Sequence, residues 1–171
     1  MSDALAPLVR AAQTGDRGAF DALYRRFGRM VHGILLAHGP REEAEDLVQE
    51  VFVKAWSRLG DLREPAAFGA WLARMARHRA TDALRGRRAV EPIADALPAE
   101  DSTHAEALAV MRIVHALPEA YRETLVLRLV EGLSGPEIAE LTGLSPGSVR
   151  VNLHRGVALL RERLAGVSHG A

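Results

Sequence analysis

Between residues 74 and 88 the side chains Arg74, Arg77, Thr81, Arg85 and Arg88 recur at steps of three and four, with His78 to one side. On a helix such steps share one face, so four guanidiniums and a hydroxyl stand together where phosphate groups of a nucleic acid can be held. A plain solvated face would carry the same residues. What favours phosphate is that a single acid, Asp82, interrupts the stretch. The helical wheel sets Asp82 with Arg79 on the buried side, where an i,i+3 ion pair would satisfy both.

A second constellation lies near the end of the chain. In SPGSVRVNLHRGVALLRERL the apolar Val149, Leu153, Val157, Leu160 and Leu164 fall on one stripe, which leaves Gly147, Ser148, Val151 and Arg155 facing outward beside Arg150 and His154. Ser148, Arg150, Val151 and Arg155 are the candidate DNA contacts, because a helix with small, apolar and cationic side chains on its free face can enter a major groove. A third group, Asp46, Gln49, Glu50 and Val53 with Trp56 on the flank, sits opposite an apolar stripe. An acidic helix is ordinarily a solvated one, but an outward valine beside a tryptophan indicates a surface that meets a protein partner.

The elements that position these groups read as helices throughout. Asp16 caps a helix in which Phe20, Leu23, Tyr24, Phe27, Val31, Ile34 and Leu35 recur at helical spacing until Gly39 and Pro40 stop it. A helix over about 41–59 follows, with Ala44, Leu47, Val48, Val51, Phe52, Ala55 and Leu59 inward. Pro65 suits the first turn of a third, running to about Arg85 with Phe68, Trp71, Leu72, Met75 and Ala76 inward. With a short helix near 3–13 these form a small bundle. Four further helices are expected after residue 107, and the stretch from Pro136 to Leu164 has the layout of a helix-turn-helix. Gly143 makes its tight turn, Ser145 its second N-cap and Pro146 the first position of the second helix.

Composition narrows the classes. The 171 residues have no cysteine, which removes disulfide scaffolds, zinc ribbons and thiol nucleophiles. The seven histidines form no metal-ligand spacing. No cofactor is expected, no metal site, and no enzyme, since no nucleophile with a base, phosphate loop or metal cluster can be assembled. The absence of an apolar run of membrane-spanning length, and of a secretion signal, points to a soluble cytoplasmic protein without membrane insertion. The net charge of zero hides an uneven distribution. Residues 1–90 carry 15 Lys and Arg against 11 Asp and Glu, residues 91–107 none against 5, and residues 108–171 carry 7 against 6. The middle stretch is rich in Pro, Ala and acid without a helical stripe, and reads as an acidic linker. The expectation is an all-α protein of two small helical domains, an N-terminal bundle over 1–90 and a C-terminal helix-turn-helix domain over 108–171, joined by a linker over 91–107.

These residues carry a family resemblance. EAEDLVQEVFVKAW, then FGAWLARMARHRATDALRGRR, then LPEAYRETLVLRLVEGLSGPEIAELTGLSPGSVRVNLHRGVALLRERL resemble regions 2.2, 2.3 to 2.4, and 4 of extracytoplasmic-function sigma factors. With AFDALYRRF the match covers nearly the whole chain in the family's order and spacing. The resemblance implies that the helix bearing Asp46, Gln49, Glu50, Val53 and Trp56 docks on the beta-prime clamp helices of core RNA polymerase, and that the C-terminal domain meets the beta flap. It implies that the loop near Leu59 to Ala67 and the arginine helix open and read the minus-ten element of promoter DNA, that the last helix reads the minus-thirty-five element, and that an anti-sigma factor is a partner. His78 stands where the family usually has Asn, and Val151, Asn152, Gly156 and Val157 replace residues more often small-polar or basic, departures that bear on promoter preference. Two other readings remain: a stand-alone helix-turn-helix regulator, which leaves the arginine-faced bundle unexplained, and a sigma mimic that sequesters an anti-sigma factor, which would have no use for the arginine face.

Overall fold

A computed structural model describes residues 4–90 and 102–168, with the side chains of 88–90, 102–105 and 167–168 outside that description. The described residues are helical, without a strand. They form α1 Leu5–Gln13, α2 Arg17–His38, α3 Ala44–Arg58, α4 Phe68–Val90, α5 Ser102–His115, α6 Glu119–Leu129, α7 Gly135–Thr142 and α8 Pro146–Ser168. Short 3-10 turns at Arg41–Glu43, Leu59–Asp61 and Pro65–Ala67 connect the early helices.

Local chemistry sets these boundaries. The Asp16 carboxylate accepts a hydrogen bond from the Ala19 amide at 3.0 Å and starts α2. Ser134 and Glu137 form a reciprocal capping box at the head of α7, which satisfies two amides that the helix itself leaves unpaired. Gly143 ends α7 with φ +76°, a backbone region that glycine enters without steric cost. Ser145 then accepts from the Ser148 amide at 3.1 Å and opens α8, as its sequence position foretells.

Four boundaries differ from the sequence expectation, the first being that Pro65–Ala67 form a 3-10 turn of their own and the helix expected to open at Pro65 begins at Phe68. The helix expected from residue 41 begins at Ala44, because Arg41–Glu43 wind as a 3-10 turn after Pro40. Helix α4 continues past Arg85 to Val90, and α5 begins at Ser102, inside the stretch read as linker. The remaining linker residues, 91–101, lie outside the described ones.

Helix α2 is the hub. It packs against α1, α3 and α4, as extensively against α6 of the C-terminal half, and more lightly against α7. Phe27 on α2 meets Phe68 on α4 edge to face, ring centroids 5.1 Å apart, and both rings are fully buried. Each contributes roughly 2 to 3 kcal/mol of apolar burial. Helix α6 is buried at five consecutive positions, Glu123 to Leu127. That span exceeds a full turn, so neighbours must surround the helix, and α2 and α8 do. The two halves therefore share a core instead of hanging on a tether.

Candidate nucleic-acid and polymerase interfaces

Helix α3 buries Leu47, Val48, Val51, Phe52 and Ala55 and leaves Asp46, Gln49, Glu50, Val53 and Trp56 on the outside. Val53 is 70% exposed, and with Trp56 it sets apolar surface among the acids of this face. Trp56 rests its ring on Phe20 at 4.8 Å, edge to face, which fixes the indole while leaving 37% of the residue exposed. Glu50 is engaged: Arg79 Nε donates to its carboxylate at 2.5 Å. This contact corrects the sequence reading of α4. Arg79 pairs across to α3, not with Asp82, and Asp82 is exposed and does not point inward. The reason is geometric, since α3 packs alongside α4 and offers Glu50 to the half-buried Arg79 at a distance that an i,i+3 partner need not match.

On the arginine face, Arg74, His78, Thr81 and Arg85 are exposed, and Thr81 Oγ1 donates to the Arg77 carbonyl at 3.0 Å. The Arg88 side chain lies outside the described residues. Arg77 departs from its neighbours. Its Nε and Nη2 donate in parallel to the two carboxylate oxygens of Glu123 on α6, each at 2.7 Å. Glu123 is 7% exposed and also takes His38 Nε2 at 2.7 Å. Burial pushes the Glu123 carboxyl up, but the hydrogen bonds from Arg77 and His38 outweigh it and hold the carboxyl at about 2. An ionised carboxylate only accepts, so His38 carries its proton on Nε2. The same bond raises Arg77 above its ordinary value.

The helix-turn-helix assembles as expected. Ser148, Arg150, Val151, His154 and Arg155 are exposed on α8, while Val149 and Leu160 are buried and Leu153, Val157 and Leu164 are partly so. Val151 is 42% exposed. The Ser145 and Ser148 hydroxyls share a hydrogen bond of 2.8 Å over the helix start, where the helix dipole is positive. Gly156, one of the departures from family pattern, is buried where α8 crosses α6, and a Cβ there would meet Leu125 at 3.1 Å. Its role is packing, not base contact.

Sequence reading missed the contacts between the halves. Arg26 reaches Glu140 at 2.7 Å and His32 reaches Glu131 at 2.6 Å, beside the Glu123 cluster. A signal existed in Gly33, a glycine inside an otherwise apolar helical stripe. A Cβ at Gly33 would stand 2.6 Å from Leu127 Cδ2 and 2.9 Å from Glu131 Cγ, so the glycine is where α6 is admitted.

An all-α chain with a helix-turn-helix, an arginine helix and a partly apolar acidic face is a DNA-binding transcription protein. The description Sigma-70 region 2 matches residues 23–90 and Sigma-70 region 4 matches residues 107–160. The sigma-E factor of Escherichia coli strain K12, an extracytoplasmic-function RNA polymerase sigma factor, is 33% identical over 86% of this chain and 87% of its own. That of Haemophilus influenzae is 32% identical over 92% and 93%. Among solved structures, CnrH in complex with the cytosolic domain of CnrY superposes with TM-score 0.66 at 29% identity, covering 95% of this chain and 97% of that one. The sigma factor RpoE of Bartonella quintana, solved with the anti-sigma factor NepR, shares the fold at TM-score 0.56 and 20% identity, over 85% and 95% of the two chains. The chain belongs to the sigma-70 family as a sigma factor of the extracytoplasmic-function type. Its function is promoter-specific initiation of transcription with RNA polymerase. No described helix is long and apolar enough to cross a membrane.

Proposed function

We propose a division of labour among three surfaces. Asp46, Gln49, Glu50, Val53 and Trp56 dock on the beta-prime clamp helices of core polymerase, and the C-terminal domain contacts the beta flap. Arg74, Arg77, His78, Thr81, Arg85 and Arg88 hold the backbone of the minus-ten element, with the loop from Leu59 to Ala67 beside them capturing an unstacked base. Ser148, Arg150, Val151 and Arg155 read the minus-thirty-five element. The chain has no catalytic residue in this scheme, since RNA synthesis belongs to the polymerase, and it works in the cytoplasm.

The domain limits expected from the sequence, 1–90 and 108–171, are narrowed by α5 to a connection of 91–101, and this acidic connection follows a positively lined channel of the polymerase. An anti-sigma factor is the further partner, a reading supported by CnrH, similar over nearly its whole length and solved with the cytosolic domain of CnrY.

The observation that carries the proposal is the α3 face, where a 70% exposed valine stands among acids and an anchored tryptophan. Because Glu50 also braces Arg79, the cleanest test spares it. The Asp46→Arg, Val53→Asp double variant changes two exposed side chains and should lose co-purification with core polymerase while melting at the wild-type temperature. Wild-type yield of the complex from this variant removes the docking assignment.

A further inference from the structure

We propose that the cavity bounded by α2, α5 and α6 is a binding site for a small amphipathic anion, an alkyl chain of roughly ten carbons that ends in a carboxylate. The site is separate from the polymerase and DNA surfaces, and would let the chain answer to a small molecule.

The cavity has a volume of about 400 Å³, within the ~300 to 1,000 Å³ range of small-molecule sites. Leu36 of α2, Val110, Met111 and Val114 of α5, and Leu125 and Val126 of α6 form its walls. Four of these, Leu36, Val114, Leu125 and Val126, are buried. Leu129 and Val130 line it as well, and at 57% and 50% exposure they mark its open side. Beyond a weakly accepting methionine sulfur, no side chain of these walls can hydrogen-bond. At about 30 Å³ apiece, on the order of a dozen waters would fill the space almost without a side-chain partner. Sugars, nucleotides and peptides fare no better, because their polar groups need partners along their length. An alkyl chain needs none.

The charged side chain of the lining is Arg41, and it decides the other end of the ligand. Arg41 is exposed, and no described carboxylate forms an ion pair with it. The nearby acids are committed elsewhere. Glu42 and Glu43 are drawn to Arg87 on α4, at 2.9 and 3.6 Å, while Glu119 and Glu123 turn to His38 and Arg77. Glu106, beside Ala107 on α5, does not line the cavity. The field at this end is positive: His115 is held below its ordinary value by burial and then by the charges of Arg122, His38 and Arg41. A carboxylate at Arg41, with its chain laid between α5 and α6, satisfies the free guanidinium and fills the apolar space together. Because Leu36 and Arg41 come from one half of the chain and the other walls from the second, occupancy should also raise the melting temperature.

The test is calorimetric titration of the full chain with sodium decanoate below its micellar range, with decanol as the uncharged probe of the same length. Decanoate should bind one to one, and hexanoate, octanoate and decanoate should tighten about fourfold per added methylene. Arg41→Gln should weaken decanoate about tenfold and leave decanol unchanged. Ala107→Trp and Val130→Trp occlude the cavity from different helices at exposed positions, and each should remove binding of both probes. Melting curves without ligand confirm that the three variants fold like the wild type. Absence of saturable decanoate binding, or binding that both tryptophan variants retain, overturns the site. Arg41→Gln that weakens decanol as much as decanoate, or weakens neither, overturns the anion-binding role of Arg41 and the proposal with it.

Discussion

Arg77 and Glu123 stand 46 positions apart in the chain, yet two parallel hydrogen bonds of 2.7 Å join them across the contact between α4 and α6. Region 2 and region 4 are thereby tied at a residue that the arginine pattern of α4 assigns to DNA.

This pair gives the packing of the two halves a pH dependence. Glu123 titrates at about 2 when folded against an ordinary 4.5, so its contribution is complete above 4.5 and is lost as pH falls from there through 2. The shift corresponds to at most about 3 kcal/mol. Arg77, His38 and Glu119 are the charged or titratable groups around it. Melting temperature should fall over that acid window in the wild type and much less in Glu123→Gln. Parallel curves for the two proteins would show that the pair contributes no such stability.

Open-complex formation should depend on the exposed arginines. In polymerase carrying Arg74→Ala with Arg85→Ala, permanganate reactivity of the minus-ten thymines should drop, and its salt dependence should flatten as two phosphate contacts disappear. A bubble of wild-type extent would count against this face.

The acids of the connecting segment offer a third prediction. Replacing Glu91, Asp95, Glu100 and Asp101 with Gln or Asn keeps the length and removes the charge, and Glu106, which lies on α5, serves as a control. Initiation should weaken when the four are neutralised if the segment follows a positive channel. Unchanged initiation marks it as a plain tether.

Promoter preference should be sensitive to Val151. Its side chain is 42% exposed on α8, and a thymine methyl suits it. Val151→Ala should cost on the order of 1 kcal/mol, concentrated at one A·T pair, whereas removing an arginine that reads guanine should cost roughly 1 to 3 kcal/mol at its own pair. Binding across single-base variants of the minus-thirty-five element measures this, and a loss spread evenly over all sequences excludes base reading by Val151.

Helix identities and the exposed faces of α3 and α8 were legible because each depends on periodicity and capping within a short stretch, as at Asp16 and Ser145. What the pattern could not supply was pairing between elements. Arg79 found Glu50 on α3, Arg77 found Glu123 on α6, and Asp82, assigned to the interior, faces solvent. A helical wheel states which face a residue occupies, not which helix will cover it. The four α4 arginines looked equivalent for that reason, and only α6 packing across Arg77 separates it from Arg74 and Arg85.

The central claim is that this chain directs core polymerase to promoters, and run-off transcription tests it most directly. Purified full-length protein, added to core RNA polymerase on templates that carry candidate minus-thirty-five and minus-ten elements, should yield a discrete run-off product. That product should disappear when either element is scrambled, and when the Asp46→Arg, Val53→Asp variant replaces the wild type. A product independent of both elements, or none beyond core polymerase alone on any template whose elements the protein footprints, would contradict the account.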